Sequence, residues 1–421
     1  MLDIKFIREH TAAVRRGAAD KRNHIDLDQL LALDAAIRPL QTQWESLQAE
    51  RNSLSKTIGK SPATEREALK ARVTVIKGEM EGLEATLKTQ KSAFEHLMLL
   101  VPQPARSDVP VGKDDSENVE LRRVGTPPTF AFTAKDHLTL GEKLGIIDIA
   151  RGVKLAGSRS YVLKGDGARL EQAVLRFTYD FLIARKFIPM SVPVMVNEEA
   201  MTGTGYFPTG RDQAYLVERD NMVLVGTSEV PLASYHSGEI LPESELPIRM
   251  MALSSCFRRE AGTYGKDTSG LYRVHQFQKI EQVVIGPADI EASAALHDEL
   301  LGNAESLLQA LELPYRVVYV CTGDLGQGQV RKHDIETWMP SRQGYGETHS
   351  CSTFYEFQAR RLQLRYKDKS GQNRVCHTLN NTAVASPRIL IPLLECHQDE
   401  HGRVRIPQLL RPYMGGQEWI G

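Results

Sequence analysis

Three stretches of the chain gather residues able to do chemistry on a charged, ring-bearing ligand. The first is "FRREAGTYGKDTSG" (257–270) running into "LYRVHQFQKIEQVV" (271–284). The second part is rich in strand formers, and side chains on a strand alternate in direction. Arg273, His275, Phe277, Lys279 and Glu281 therefore share one face, while Tyr272, Val274, Ile280 and Val284 mostly point the other way. Such a face can neutralise phosphate through Arg258, stack a flat ring on Phe277 and accept hydrogen bonds at Glu260 and Glu281. Strand, long Gly-punctuated loop, strand is also a suitable frame for presenting an arginine to phosphate. The competing reading is an edge strand with a solvated charged face.

In the second stretch, "HTLNNTAVASPRILIPLLE" (377–395), Ser386 reads as an N-cap and Pro387 as the first helical residue, which puts Arg388 in the first turn. An arginine there opposes the helix dipole unless an anion joins it, so the placement points to anion binding. Pro392 would disturb the same helix. In the third, "GETHSCS" (346–352), Glu347 and Ser350 lie in a strand-like run where a carboxylate can hold Mg²⁺ beside phosphates. No Walker A sequence and no GxGxxG after a strand is present, which argues against P-loop and dinucleotide-fold nucleotide sites.

The elements that must carry these groups are α+β in character. Residues 168–186 read as an amphipathic helix, followed by a strand interrupted at Pro193. Strand-rich runs follow near 214–225, 248–258, 271–285, 315–320, 346–353 and 362–367. Irregular spacing with few strict βαβ units predicts a largely antiparallel sheet flanked by helices. Ahead of it, Leu33, Ile37, Leu40, Trp44, Leu47, Leu54 and Ile58 follow alternating steps of four and three, with Arg51 as the one polar intrusion. Leu69, Val73, Ile76, Met80, Leu83, Leu87, Phe94 and Leu97 repeat the pattern, interrupted by Gln90. Gly59 and Pro62 break the run and Thr64 can cap the second segment, giving an antiparallel helical hairpin with helices on the order of 45 Å. Pro39 falls inside the first helix, and "VPQPARSDVPVG" (101–112) reads as a linker.

Length and composition bound the rest. The chain has 421 residues, enough for two or three domains, and a formal charge of −1, so a nucleic-acid partner must be held by local basic patches. The charged start "MLDIKFIREH" is unlike a secretory signal and no run approaches membrane-spanning length, so a cytoplasmic protein with no membrane partner is expected. Five cysteines without a CxxC pair predict reduced structural thiols and no zinc.

"FRREAG…GLYRVHQFQKIE" resembles motif 2 of the class II aminoacyl-tRNA synthetases, "TLNNTAVASPRILIPLLE" resembles motif 3, and the helix and strand ending at Pro193 resemble motif 1. "GTSEVPLA", "ETHSCS", "FQARR", "AERNSLSK" and "RPYMGG" narrow the likeness to the seryl-tRNA synthetase family over essentially the whole chain. The resemblance implies an arm domain at 1–104 that grips tRNA and a class II catalytic domain at 105–421. It implies a homodimer that uses ATP and Mg²⁺ to activate L-serine and charge tRNA(Ser), with tRNA(Sec) as an open second acceptor.

The same resemblance implies nucleotide contacts at Arg258, Arg259, Glu260, Val274, Phe277, Glu347, Thr348, His349, Ser350 and Arg388. Serine contacts are implied at Thr227, Ser228, Glu229, Arg258, Glu281, Asn380 and Thr382. Arg258, Glu347 and Arg388 would be catalytic, and Glu347 with Ser350 would hold Mg²⁺ through ATP. Asn381-Thr382 replaces the commoner Gly-Ser pair. A carrier-protein-charging paralogue is disfavoured by the intact hairpin, and an inactive RNA-binding relative by the presence of Arg258, Glu347 and Arg388.

Overall fold

The computed structural model describes residues 1–262 and 270–421, so part of the loop expected between 257 and 270 lies outside the described residues. The chain divides into two compact units: Leu2–Ala19 with Asn23–Pro102, and Met1, Asp20–Arg22 with Gln103–Gly421.

The first unit is dominated by helices α1 (Leu27–Ile58) and α2 (Ala63–Leu100). At 1.5 Å per residue they span about 48 and about 57 Å. Arg72 bonds Glu50 at 2.9 Å and Lys91 bonds Gln41 at 2.8 Å, so partner numbers rise on one helix as they fall on the other and the pair is antiparallel. Ile76, Met80 and Leu87 are buried on α2, as the heptad spacing predicts. Asp26 caps α1 by accepting from the Gln29 amide at 2.8 Å. Thr64 does not cap α2: Pro62 occupies the cap position without a side-chain bond, and Thr64 is already helical. α1 continues through Pro39.

The second unit is built on a sheet. Its strands are β1 (Val119–Val124), β2 (Ile188–Met190), β3 (Ile248–Phe257), β4 (Gln276–Gly286), β5 (Tyr315–Tyr319), β6 (Arg331–Met339), β7 (Gly344–Tyr355) and β8 (His377–Ser386). Among the described residues these eight lie in the order β1-β5-β6-β7-β8-β4-β3-β2. Every pairing is antiparallel except β2 with β3. Helices α3 (Asp166–Ala184), α4 (Ile290–Ala310) and α5 (Leu390–Cys396) contribute Leu170, Val174, Leu300, Leu307 and Leu393 to one core with Ile280, Val284, Ile335 and Leu379 of the strands. Each such burial contributes about 1.5–3 kcal/mol.

On β4, Ile280 and Val284 join that core and Gln282 accepts from Asn303 of α4 at 2.8 Å, so Phe277, Lys279 and Glu281 face the opposite side. Two β-bulges decide what else faces that side. Between β4 and β8, Ile280 pairs with Val384 but Glu281 pairs with Thr382, leaving Ala383 extra. The slip turns Thr382 and Asn380 toward Glu281, while Asn381 reaches the other way to the Leu300 carbonyl of α4 at 2.6 Å. Between β6 and β7, Ile335 pairs with His349 but Glu336 pairs with Glu347, and the extra residue Thr348 re-aims Glu347 onto the face of Ser350 and Ser352.

Several sequence expectations are corrected. β4 starts at Gln276, so residues 271–275 form bends and strict alternation fails there. β6 falls outside the expected strand runs: its first four residues, "RKHD", are all polar, so no apolar alternation marks its start. β8 runs to Ser386, whose hydroxyl donates to Glu171 at 2.8 Å rather than capping a helix. α5 begins only at Leu390, which puts Arg388 in the turn before it. The late start also accommodates Pro392: as the third helical residue it sits in the first turn, where a backbone donor has no intrahelical partner to lose.

Candidate active site

A cleft of about 350 Å³ opens on the sheet face away from α3 and α4, and both Arg258 and Arg388 line it. Arg258 follows directly on β3. Its Nε donates to the Gly226 carbonyl at 3.3 Å, and its guanidinium carbon lies 5.2 Å from the centre of the Phe277 ring. Arg388 is fixed by two backbone carbonyls, donating from Nε to Tyr272 at 3.0 Å and from an NH group to Glu347 at 2.9 Å. Among the described residues neither guanidinium makes an ion pair, so both keep their charge for a ligand.

Two lysines in the cleft wall are each paired with a carboxylate. Lys279 Nζ contacts Glu281 Oε2, both nearly fully buried, and Thr382 Oγ1 is 3.5 Å from the same oxygen. Lys332 lies 2.9 Å from Asp334. Burial pushes the Asp334 carboxyl up to about 7, against the pull of Lys332. Burial pushes the Glu347 carboxyl up as well, but Lys332, Arg388, Arg258 and Arg273 outweigh it and hold Glu347 below its ordinary range. Glu347 is packed in on the protein side yet exposed through the cleft mouth, so solvent tempers that burial.

At another wall Glu229 is buried, with its carboxyl pushed up by burial and by nearby Glu281. The Tyr206 hydroxyl donates to Glu229 Oε2 and Gln358 Nε2 to Oε1, both at 2.7 Å. These elements present an anion-binding pair of arginines, a ring platform and an enclosed acidic corner within one cavity. That combination suits a nucleotide joined to a small cation-bearing group.

Residues 1–104 match a family described as the seryl-tRNA synthetase N-terminal domain, and residues 215–397 match the tRNA synthetase class II core domain (G, H, P, S and T). A serine–tRNA ligase of Deinococcus radiodurans is 48% identical over 421 residues, covering 100% of this chain and 99% of that protein. The chain belongs to the seryl-tRNA synthetase family. Another relative of the same name, from Thermomicrobium roseum, is 43% identical over 100% of this chain and 95% of its own. Among solved structures, a seryl-tRNA synthetase of Pyrococcus horikoshii complexed with ATP superposes with a TM-score of 0.91 at 37% identity. It covers 100% of this chain and 99% of that one. A cytoplasmic serine–tRNA ligase of Naegleria fowleri in complex with AMP gives 0.87 at 30%, with 100% and 98% covered.

In this seryl-tRNA synthetase family member the cleft brings together most of the residues singled out from sequence. Arg258, Glu260, Val274, Phe277, Arg388 and Glu347 line it. So do Thr348, Ser350, Glu229, Glu281, Asn380 and Thr382. Four others do not. Arg259 is exposed and donates to the Asp212 carbonyl at 3.1 Å. His349 faces the helices, with Nδ1 2.8 Å from Thr348 Oγ1, because the bulge leaves it opposite Ile335. Thr227 accepts from the Glu229 amide at 3.1 Å, and Ser228 donates to the Ala252 carbonyl at 3.2 Å, so both shape the turn that carries Glu229.

Sequence reasoning missed Lys332, Asp334, Tyr206 and Gln358, and gave Lys279 no role. Lys332 and Asp334 share a strand face at i and i+2, a readable signal once β6 is recognised. Gln358 lies within "FQARR" but carries no role there, and nothing local marks Tyr206; the two meet Glu229 only through the tertiary fold. Among the described residues no cluster of three His, Cys, Asp or Glu side chains could hold a metal, and all five cysteines are free and buried. No helix among them is long and apolar enough to cross a membrane.

Proposed function

We infer that the chain is an ATP-dependent serine–tRNA ligase that forms seryl-adenylate in this cleft and then transfers serine to tRNA(Ser). The observation that carries the reading is the pair of guanidinium groups, Arg258 and Arg388, without a carboxylate partner among the described residues, sharing a cavity with the Phe277 ring.

In the first step a serine carboxylate oxygen attacks the α-phosphorus of ATP, the bond to the bridging oxygen breaks and pyrophosphate leaves. Arg258 contacts the α-phosphate and the serine carboxylate, drawing two anions together. Arg388 clamps the γ-phosphate and supports the charge of the leaving group. Phe277 stacks on adenine, with Val274 beside it and Glu260 accepting from its amino group. Serine's ammonium is received by Glu229, and Glu281 with Asn380 and Thr382 surrounds its amino and hydroxyl groups. In the second step a terminal ribose hydroxyl of tRNA attacks the seryl carbonyl carbon and AMP leaves. Alignment and fixed charge supply the catalysis, with no covalent enzyme intermediate.

One carboxylate, Glu347, and one hydroxyl, Ser350, share a strand face in the cleft, a hard-oxygen pair too small to cage a cation. Their chemistry fits Mg²⁺ held jointly with phosphate oxygens. Bound there, the ion would neutralise developing phosphate charge.

The proposal extends to residues 1–104 as the tRNA-gripping arm domain and 105–421 as the catalytic domain. It also covers a homodimeric assembly, a cytoplasmic location and tRNA(Sec) as a second acceptor. The test is ATP–pyrophosphate exchange with serine, threonine, alanine and glycine, followed by charging of tRNA(Ser). Exchange should depend on serine; equal exchange with alanine would remove the hydroxyl-reading roles of Glu281 and Thr382.

A further inference from the structure

We propose that Tyr206 and Gln358 are positioning residues for amino-acid selection, gripping the two oxygens of Glu229 so that its carboxylate is aimed at the substrate ammonium. The inference rests on the reading of Glu229 as the amino-group acceptor.

The geometry is a closed relay. Thr378 Oγ1 donates to Gln358 Oε1 at 2.7 Å, which orients the amide. Gln358 Nε2 then donates both to Glu229 Oε1 at 2.7 Å and to the Thr204 carbonyl at 3.0 Å. With its acceptor and donor ends both fixed, the amide cannot flip without losing three bonds. From the other side the Tyr206 hydroxyl donates to Glu229 Oε2 at 2.7 Å. Each carboxylate oxygen thus receives one protein donor and retains lone-pair capacity for a cation entering from the cleft, which Tyr206 and Glu229 both line. Glu229, Gln358 and Thr378 are all nearly fully buried, so water is a poor substitute for a lost donor.

The charged groups around Glu229 act in both directions. Burial and Glu281 of β4 favour its neutral form; Tyr206, Gln358 and Lys279 favour the carboxylate. Arg258 acts on the Tyr206 end of the network. Removing either hydrogen-bond donor shifts that balance toward the neutral acid, which cannot pair with an ammonium group.

The experiment measures serine-dependent ATP–pyrophosphate exchange in the full chain across pH for wild type, Tyr206→Phe, Gln358→Met and Glu229→Gln, with folding checked by thermal melting. Tyr206→Phe and Gln358→Met should each lower kcat/KM for serine roughly tenfold or more, while KM for ATP moves less than about threefold. The acidic limb of the serine profile should move to higher pH in both, so that alkaline buffer partly restores activity. Gln358→Asn, which keeps the amide one methylene short, should recover part of the loss if its melting is native. Uniform losses in serine and ATP parameters with an unmoved acidic limb would overturn the positioning role. If Glu229→Gln leaves KM for serine unchanged, the underlying reading of Glu229 fails instead, so the two failures are distinguishable.

Discussion

The guanidinium carbon of Arg388 lies 4.3 Å from the centre of the Tyr272 ring, and its Nε donates to the carbonyl of that same residue at 3.0 Å. A second guanidinium, Arg342, is 3.9 Å from the same ring centre. Gly346 packs closely beneath the ring: a Cβ there would lie 3.1 Å from Tyr272 Cε2 and from the end of the Met339 side chain, so a larger residue would require these neighbours to shift by a few tenths of an ångström. One aromatic ring thus lies against two guanidinium groups, and Arg388, the one that lines the cleft, has its donors fixed on the backbone carbonyls of Tyr272 and Glu347.

Replacing that ring should loosen Arg388 without removing its charge. A cation–π contact contributes about 0.5–2 kcal/mol, so Tyr272→Leu is expected to raise KM for ATP roughly 2- to 30-fold. Tyr272→Phe keeps the ring and the carbonyl and should stay near wild type. Exchange kinetics at varied ATP separate the two; equal values for both variants would show that the ring does not hold Arg388.

Arg258→Lys should be far from conservative. Its Nε is committed to the Gly226 carbonyl, which leaves the terminal guanidinium edge for a planar, two-pronged contact that an ammonium group cannot reproduce. The loss falls on charge that develops during adenylation, so kcat for exchange should drop roughly 10²- to 10³-fold. Single-turnover adenylate formation is the direct measurement, and a change confined to KM would contradict the role given to Arg258.

What was legible from the residues follows their locality. The heptads of the arm, the β3–β4 pair and the cleft face of Phe277, Lys279 and Glu281 are local patterns of period 3.5 or 2, and each appears in the structure. Arg388 was placed in the cleft correctly in kind but in the wrong element, because "ASPR" satisfies the grammar of a helix start while β8 continues pairing to Ser386. The aim of Glu347, Thr382 and Asn380 depends on two bulges, and an extra residue in one strand is visible only against its partner. The bulge between β6 and β7 also turns the His349 side chain away from the cleft. Tyr206 and Gln358 are 152 residues apart in number and converge on Glu229 through tertiary packing alone.

Acid should destabilise the fold through histidines buried in neutral form. Burial holds His333 down to about 3 and His349 down to about 4, and it holds His297 well below its ordinary value. His297 Nε2 and His333 Nδ1 lie 2.8 Å apart. Unfolded histidine titrates near 6.5, so above that pH neither state binds the proton and stability is intact. Below it the unfolded chain takes up protons that the fold refuses, and stability falls until the folded values are reached. Asp334, raised to about 7, works with the opposite sign and offsets part of the loss. Denaturant melts at pH 7.5 and pH 5 should show lower stability at pH 5. His333→Gln should shrink that difference by up to about 2 kcal/mol, even if its stability at pH 7.5 is lower. An unchanged difference would mean that His333 takes no part in the acid response.

The arm gives the sharpest separation of the two half-reactions. α1 and α2 bury Ile76, Met80 and Leu87 within their own unit, while the cleft proposed for adenylation is lined by residues between 204 and 388 of the other. Excising residues 35–95 with a short connector should therefore leave serine-dependent exchange within about threefold of wild type and abolish charging of tRNA(Ser). Basic side chains along the hairpin, such as Lys56, Lys60, Lys70, Lys77, Lys88 and Lys91, are interleaved with acids, so the proposed grip on tRNA would depend on local phosphate contacts rather than net field. In the intact enzyme KM for tRNA should rise with salt on a log–log line of slope about 0.7–0.9 per phosphate contact, while KM for serine stays flat. Unimpaired charging after excision, or charging insensitive to salt, would remove the arm from tRNA recognition.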